Sequence, residues 1–153
     1  CLEHGADEAF VYPSGNLDRD QQKELSSKIK ELTGGLGANV VYDPVGGSFS
    51  EPAIRAMAWE GRFLVIGFAA GEIPKPPLNL ALLKNCQIVG VFWGAWTLMF
   101  PAEYEKNLQE LFKLHADGKI NPEISDRFSL EESAAAIAHL MDRKAKGKVI
   151  IDV

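Results

Sequence analysis

Residues 39–47, NVVYDPVGG, give the strongest indication of the fold. A short apolar run, VVY, ends in Asp43, a proline, a valine and two glycines, which is typical of a buried strand entering a loop of close backbone approach. The pattern returns at residues 61–71, GRFLVIGFAAG, and at residues 87–94, QIVGVFWG. Helical patterns lie before and between these runs, and strands that alternate with helices predict a parallel sheet. Ligands bind outside the carboxyl ends of such strands, so we expect these Gly-rich endings to form one site.

The composition excludes several classes of protein. The chain has 153 residues, of which 46% are hydrophobic, so it is long enough to bury a core. Its net charge of -5 and the absence of a basic cluster in the sequence argue against a nucleic-acid partner. No apolar run reaches the roughly 18 residues of a membrane span. Cys1 and Cys86 lie too far apart in sequence for a disulfide framework or a metal-ligand spacing, which favours a reduced, cytoplasmic setting.

The remaining elements follow from periodicity and capping signals. We predict strands over residues 9–12, 40–43, 63–66, 87–92 and 149–153, and an extended segment over 122–128. We predict helices over residues 21–32, from the Ser48/Glu51 pair to 59, over 78–83, over 102–117, and from the Ser129/Glu132 pair to about 144. Asp18 or Asp20 would cap the first of these helices. In the last one, Ile137, Leu140 and Met141 would face inward and His139 would be solvated.

Three loops are candidates for binding, and each has a plainer interpretation. The helix after Asp43 would point free amides at a ligand, although an ordinary strand-to-helix turn also contains glycines. Phe68, after a strand-end glycine, would lie against a flat ring, or it is simply an exposed aromatic in a turn. Phe92 and Trp93 would do the same, with core packing as the competing interpretation. No general acid or base stands out, which is compatible with hydride transfer by a cofactor.

Four segments together resemble a known family. They are GANVVYDPVGG, EGRFLVIGFAAGEIPKPPLN, LLKNCQIVGVFWG and GKVIIDV, in that order. They are similar to the C-terminal half of the medium-chain dehydrogenase/reductase superfamily, and within it to the zinc-independent quinone oxidoreductase (zeta-crystallin-like) branch. The resemblance implies an α/β fold in which residues 1–117 supply part of a doubly wound Rossmann parallel sheet. Residues 118–153 would be the C-terminal return into a GroES-like catalytic domain.

The resemblance also implies an activity. The family transfers hydride from NADPH to a quinone or an electron-poor enone or alkene, without catalytic zinc. An enoyl reductase or a zinc alcohol dehydrogenase is the alternative within the superfamily, and a non-catalytic Rossmann remnant that acts as a dimerising structural module is the alternative from another class. Since the Gly-rich phosphate loop is not in this sequence, we expect the 153 residues alone to bind NADPH poorly and to be inactive.

Site residues are implied by position in the family pattern. Tyr12 would lie beside the adenosine end of the cofactor, and Gly47 would line the adjacent loop. The nicotinamide half would contact four successive residues, Ile66, Gly67, Phe68 and Ala69. Phe92 and Trp93 would lie beside the nicotinamide or the substrate. The edge strand at 87–92 would pair with its copy in a homodimer, and an exposed apolar edge needs such a partner on physical grounds as well.

Overall fold

The computed structural model describes all residues from 1 to 153 and divides them into two compact units, Cys1–Gly94 and Ala95–Val153. The first unit contains a three-stranded parallel sheet in the order β1-β2-β3, and the second contains a two-stranded parallel sheet, β4-β5. The predicted α/β class with parallel strands is therefore confirmed. The predicted assignment of residues 1–117 and 118–153 to two different domains of a larger fold stays a prediction.

The helices and strands have the following bounds. The strands are β1 (Ala38–Asp43), β2 (Met57–Val65), β3 (Gln87–Gly90), β4 (Ile124–Ser129) and β5 (Lys148–Asp152). The α-helices are α1 (Arg19–Leu32), α2 (Ser50–Arg55), α3 (Asn79–Lys84), α4 (Trp93–Met99), α5 (Pro101–Ala116) and α6 (Ser133–Met141). Short 3-10 turns precede α2 at Gly47–Phe49 and α6 at Leu130–Glu132.

Helix α1 begins at Arg19, two residues before the predicted start, and Asp18 is the one of the two candidate acids that caps it. The Asp18 carboxylate accepts hydrogen bonds from the amides of Asp20 and Gln21, both at 2.9 Å. The Gln21 side chain accepts in return from the Asp18 amide at 2.9 Å, which completes a capping box. Two of the amides that the first turn of a helix leaves unpaired are thus satisfied, and this fixes the start of α1.

One face of the three-stranded sheet carries the core. In register, Val41 lies beside Phe63, and Phe63 lies beside Ile88. The buried cluster on this side combines Phe63 and Met57 of β2 with residues of α2 and α3, namely Ile54 and Leu80. On the opposite face Val40 is 59% and Tyr42 67% exposed, so within this chain the sheet is covered on one face only.

Three strand predictions need correction. Residues 9–12 form no strand, because no other strand pairs with them, and Val11 is 99% exposed. Helix α2 ends at Arg55 rather than at 59, and β2 begins at Met57, because Met57 pairs with Ala38 and is fully buried. Strand β3 ends at Gly90 rather than at 92.

The segment after β3 also differs from the prediction. Residues predicted as a loop after Phe92 form α4, which begins at Trp93. Helix α5 is present as predicted, but none of its residues is buried, and Phe112 is 64% exposed. Apolar periodicity predicted the helix correctly, although it did not show whether anything covers that helix within the chain.

In the second unit, α6 packs on β4 through a different face from the predicted one. Ala136 is 2% exposed, whereas Ile137, Leu140 and Met141 are 57%, 55% and 77% exposed. His139 lies three residues after Ala136, on the same side of the helix. Its ring centroid is 5.7 Å from that of Phe128, and its Nε2 is 3.2 Å from Asp126 Oδ2. Small Ala136 lets the helix approach the sheet closely, so His139 is half-buried, and the prediction that it is solvated is wrong.

Candidate functional site

The carboxyl end of β1 is anchored by a buried acid. Asp43 is 8% exposed, and its Oδ1 accepts hydrogen bonds from the amides of Val45 and Gly46, both at 2.9 Å. Its Oδ2 accepts a third from Ser50 Oγ at 2.6 Å. The sequence predicts this acid at the end of a strand but indicates no role for it. The signal was present, because an Asp before a Pro-x-Gly turn commonly bonds the backbone two residues further on.

The loops after β1 and β2 form one layered structure. The Asp43 carbonyl accepts from the amides of Ile66 and Gly67 at 3.0 and 3.3 Å. Pro44 and Val45 carbonyls accept from the amides of Ala69 and Ala70 at 3.0 and 2.8 Å, and the Gly47 amide donates to the Glu72 carbonyl at 3.0 Å. These backbone hydrogen bonds tie residues 43–47 to residues 66–72, so the two predicted binding loops are held rigidly together.

The glycines in the first loop serve this close approach. Gly46 has a φ of +70°, and a Cβ built on it would lie 2.8 Å from Phe68 Cδ1. Gly47 has a φ of +58°, and its Cβ would lie 3.0 Å from that of Ala70. A side chain at either position would push the second loop away.

Three amides of this turn are not free. The Val45 and Gly46 amides are satisfied by the Asp43 carboxylate, and the Gly47 amide is satisfied by the Glu72 carbonyl. A helix N-terminus attracts anions only through amides that lack an internal partner. These three amides are therefore not an anion cradle, and the loop acts as a rigid support.

Aromatic side chains remain exposed at this edge of the sheet. Phe68 is 41% exposed, although backbone hydrogen bonds on either side of it in the chain hold its loop against the first loop. The Val91 amide donates to the Val65 carbonyl at 3.0 Å, which brings the end of β3 alongside the end of β2. Phe92 follows at 81% exposure and Trp93 at 56%. Exposed rings at the carboxyl edge of a parallel sheet suit a flat, partly apolar ligand.

Tyr12 reaches the site indirectly. Its ring centroid lies 4.9 Å from that of Phe49, which ends the 3-10 turn after the Gly-rich loop. The segment between Tyr12 and α1 is held beside the same 3-10 turn, because the Leu17 amide donates to Ser48 Oγ at 2.8 Å. Tyr12 also lines a cavity of about 440 Å³ between its own segment and α1. The structure thus brings together Gly47 and residues 66–69, and it places Tyr12 one aromatic contact away; the roles of all eight predicted site residues stay predictions.

One pKa shift of the second unit has a clear cause. The pKa of Asp126 is lowered, chiefly because Ser125 Oγ donates a 2.5 Å hydrogen bond to its carboxylate, and further because of His139. Ser125 Oγ in turn accepts from the Gly147 amide at 3.0 Å, which ties the start of β4 to the segment before β5. This network supports the two-stranded sheet and α6.

Comparison with known proteins identifies the family. The parallel sheet with its Gly-rich strand endings has a Rossmann-type architecture, and the chain superimposes on a mycobacterial protein solved in complex with NADPH with a TM-score of 0.80. That match has 23% identity and covers 98% of this chain and 45% of the other, so it shows the fold alone. The model of the zinc-binding dehydrogenase family matches residues 4–151, and the chain belongs to that family.

Its relatives confirm the resemblance to the quinone oxidoreductase branch of the medium-chain superfamily. A quinone oxidoreductase-like protein 2 from Mus musculus is 38% identical over 153 residues, which is 100% of this chain and 41% of the relative. A quinone oxidoreductase from Pseudomonas aeruginosa is 33% identical, over 97% of this chain and 43% of the relative. The chain thus spans about two fifths of the length of these relatives.

The family description implies zinc, and the residues do not fit it. No group of three or more His, Cys, Asp or Glu side chains lies close enough together in this chain to hold a metal ion. His139 and Asp126 face each other, but Asp126 is already committed to Ser125. We therefore derive no step through zinc. As for membranes, none of the helices has the length and hydropathy needed to cross a bilayer.

Proposed function

We propose that this chain forms part of the nicotinamide-binding domain of an NADPH-dependent oxidoreductase. It would transfer hydride to a quinone or an electron-poor enone without catalytic zinc. The observation that carries the proposal is Phe68, an exposed ring on a loop held by the Asp43 backbone and by Pro44. Support comes from relatives named as quinone oxidoreductases and from a fold shared with a protein solved with NADPH.

The residues would orient the reacting rings rather than react themselves. Phe68 would stack on one side of the nicotinamide, while Ile66, Gly67 and Ala69 present backbone at short range. Phe92 and Trp93 would exclude water from the other face of the nicotinamide, because both rings remain exposed at the same edge of the sheet as Phe68. Bound NADPH supplies the hydride, and a solvent proton completes the reduction, so no side chain needs to act as general acid. Tyr12 would support the adenosine end through Phe49.

A homodimer through the free edge of β3 is part of this proposal. Strand β3 pairs with β2 on one side, and its other side is the edge of the sheet. The Val91 amide points inward to Val65, so by strand alternation the Gly90 amide points outward. An open strand edge is a ready template for pairing with a second copy. This same edge is the observation that favours the second candidate function, a dimerising structural module without catalysis.

NADPH binding by matched variants tests the function. We expect Phe68→Ser to weaken the affinity for NADPH about tenfold, as the loss of ~1.4 kcal/mol of ring stacking predicts. Trp59→Ser is the control, because Trp59 is a 68% exposed aromatic near the start of β2, whereas Phe68 lies in the loop beyond the end of β2. The measurements are fluorescence titration with NADPH and NADPH oxidation with a quinone, both in a protein that has the relatives' length. Equal affinity in both variants, or no NADPH binding at all, would support the structural module instead.

A further inference from the structure

We propose that a basic groove between α1, α2 and α3 binds an acidic peptide segment of a partner protein. The groove has a volume of about 860 Å³ and is lined by five cationic side chains, Arg19, Lys23, Lys30, Arg55 and Lys84. This is nearly a third of the chain's 16 Lys and Arg residues, gathered in one place on a molecule with a net charge of -5. The sequence did not reveal this cluster, because its members come from three helices.

The cations of α1 share one side of the helix. Arg19 and Lys23 are four residues apart, and Lys30 follows two turns after Lys23. Like charges four residues apart weaken a helix in the absence of a compensating anion. None of the three acids of this helix lines the groove: Glu24 lines the cavity beside Tyr12, Glu31 pairs with Lys28 at 3.0 Å, and Asp20 lies outside the lining. The groove therefore holds positive charge that α1 itself does not neutralise.

The single acid in the groove is already engaged. Glu51 accepts from both Nε and Nη2 of Arg55, at 2.9 and 2.6 Å. This pair leaves Arg19, Lys23, Lys30 and Lys84 as the net charge of the groove. These four cations are electrostatically complementary to a ligand that carries several carboxylates.

Apolar and neutral polar side chains decide the kind of anion. Leu80 is 6% exposed at the floor of the groove, and Leu83 is 66% exposed at its wall. Ser26, only 7% exposed, adds a hydroxyl to the same floor. A peptide that alternates carboxylates with an apolar side chain satisfies both features, because its leucine would cover Leu83 while its acids meet the lysines. A nucleic acid binds chiefly through its phosphates and would leave Leu83 unmatched.

The test is fluorescence anisotropy with the full chain and a labelled peptide of sequence EELEELLDEE. Lys23→Gln/Lys30→Gln should weaken binding about fivefold, as the loss of two partly exposed ion pairs predicts. The control is Lys75→Gln/Lys106→Gln, which changes the net charge equally outside the groove. Leu83→Ser should also weaken binding, whereas Leu82→Ser should not, because the neighbouring Leu82 is 78% exposed and does not line the groove. All four are surface changes, and circular dichroism checks that each variant folds.

Two results would overturn the proposal. One is equal affinity for the peptide in the groove variants and in their controls, which would show that the chain binds acids without a defined site. The other is a single-stranded DNA oligonucleotide that competes with the peptide at lower concentration, which would assign the groove to nucleic acid. A peptide with serine in place of each leucine completes the design, and retention of full affinity by that peptide would contradict the role of Leu83.

Discussion

Ser50 Oγ donates a 2.6 Å hydrogen bond to Asp43 Oδ2, and this bond joins the first residue of α2 to the last residue of β1. Both residues are buried, and Ser50 is fully so. The other carboxylate oxygen, Asp43 Oδ1, accepts hydrogen bonds from the amides of Val45 and Gly46. One side chain therefore fixes the turn on which the candidate site is built, although it makes no proposed contact with a ligand.

Asp43→Ala should destabilise the chain by about 3 kcal/mol, because three buried donors lose a charged acceptor. Ser50→Ala removes one of those three bonds and should cost about 1.5 kcal/mol. Urea unfolding followed by circular dichroism measures both, and the double variant gives the coupling between them. Asp7→Ala, at an exposed position, is the control and should change stability little. Strictly additive losses for Asp43 and Ser50 would contradict the bond as described.

Gly46→Ala should cost about 2 kcal/mol, because a side chain at its positive φ is strained and its Cβ would meet the Phe68 ring. Gly71→Ala is the matched control, with a φ of +89° but no atom within 4 Å of the added Cβ. It should carry the backbone strain alone, about 1 kcal/mol. The measurement is the urea midpoint of each variant. If Gly71→Ala proved as costly as Gly46→Ala, contact between the two loops would not be the reason for glycine at 46.

The acid stability of the chain should depend in part on Asp126. Its pKa is lowered in the folded state, mainly by Ser125, so the ionised carboxylate stabilises the fold above the unfolded pKa of about 4. This contribution is lost as the pH falls through the lower, folded value. Asp126→Asn cannot titrate, so its urea midpoint should fall less between pH 5 and pH 3 than that of the wild type. Asp7→Asn, at an exposed position, should follow the wild-type profile, and an unchanged profile for Asp126→Asn would refute the role of the Ser125 hydrogen bond.

Gly90→Pro tests the proposed dimer edge. The outward amide of Gly90 would be lost, while the inward hydrogen bond from Val91 to Val65 stays in place. No atom lies within 4 Å of a Cβ at this position, so the ring has space. Light scattering should show the wild type at twice 16.8 kDa and the variant as a monomer. Val89→Pro, which removes an inward amide, should instead unfold at lower urea concentration. A dimer that survives Gly90→Pro would place the interface elsewhere.

The helices and strands that depend on local sequence patterns could be predicted from the sequence. An acidic cap of α1 at Asp18 or Asp20, the end of β1 at Asp43 and the helix over most of 102–117 all follow from periodicity and capping, which act within a few residues. The resemblance that rested on four short segments also proved correct at the level of the family. Glycines next to strand ends correctly marked the place where two loops approach each other.

The buried faces of those elements and their pairing partners became apparent from the tertiary structure alone. Residues 9–12 have a strand pattern without a paired strand, and β2 extends back to Met57 because Ala38 lies beside it. Ala136, rather than the larger Ile137, faces the sheet, since close approach favours the smaller residue. The basic groove gathers charges from three helices that are as much as 65 positions apart, from Arg19 to Lys84. Pairing, burial and charge clustering depend on residues distant in the chain, and no local pattern contains that information.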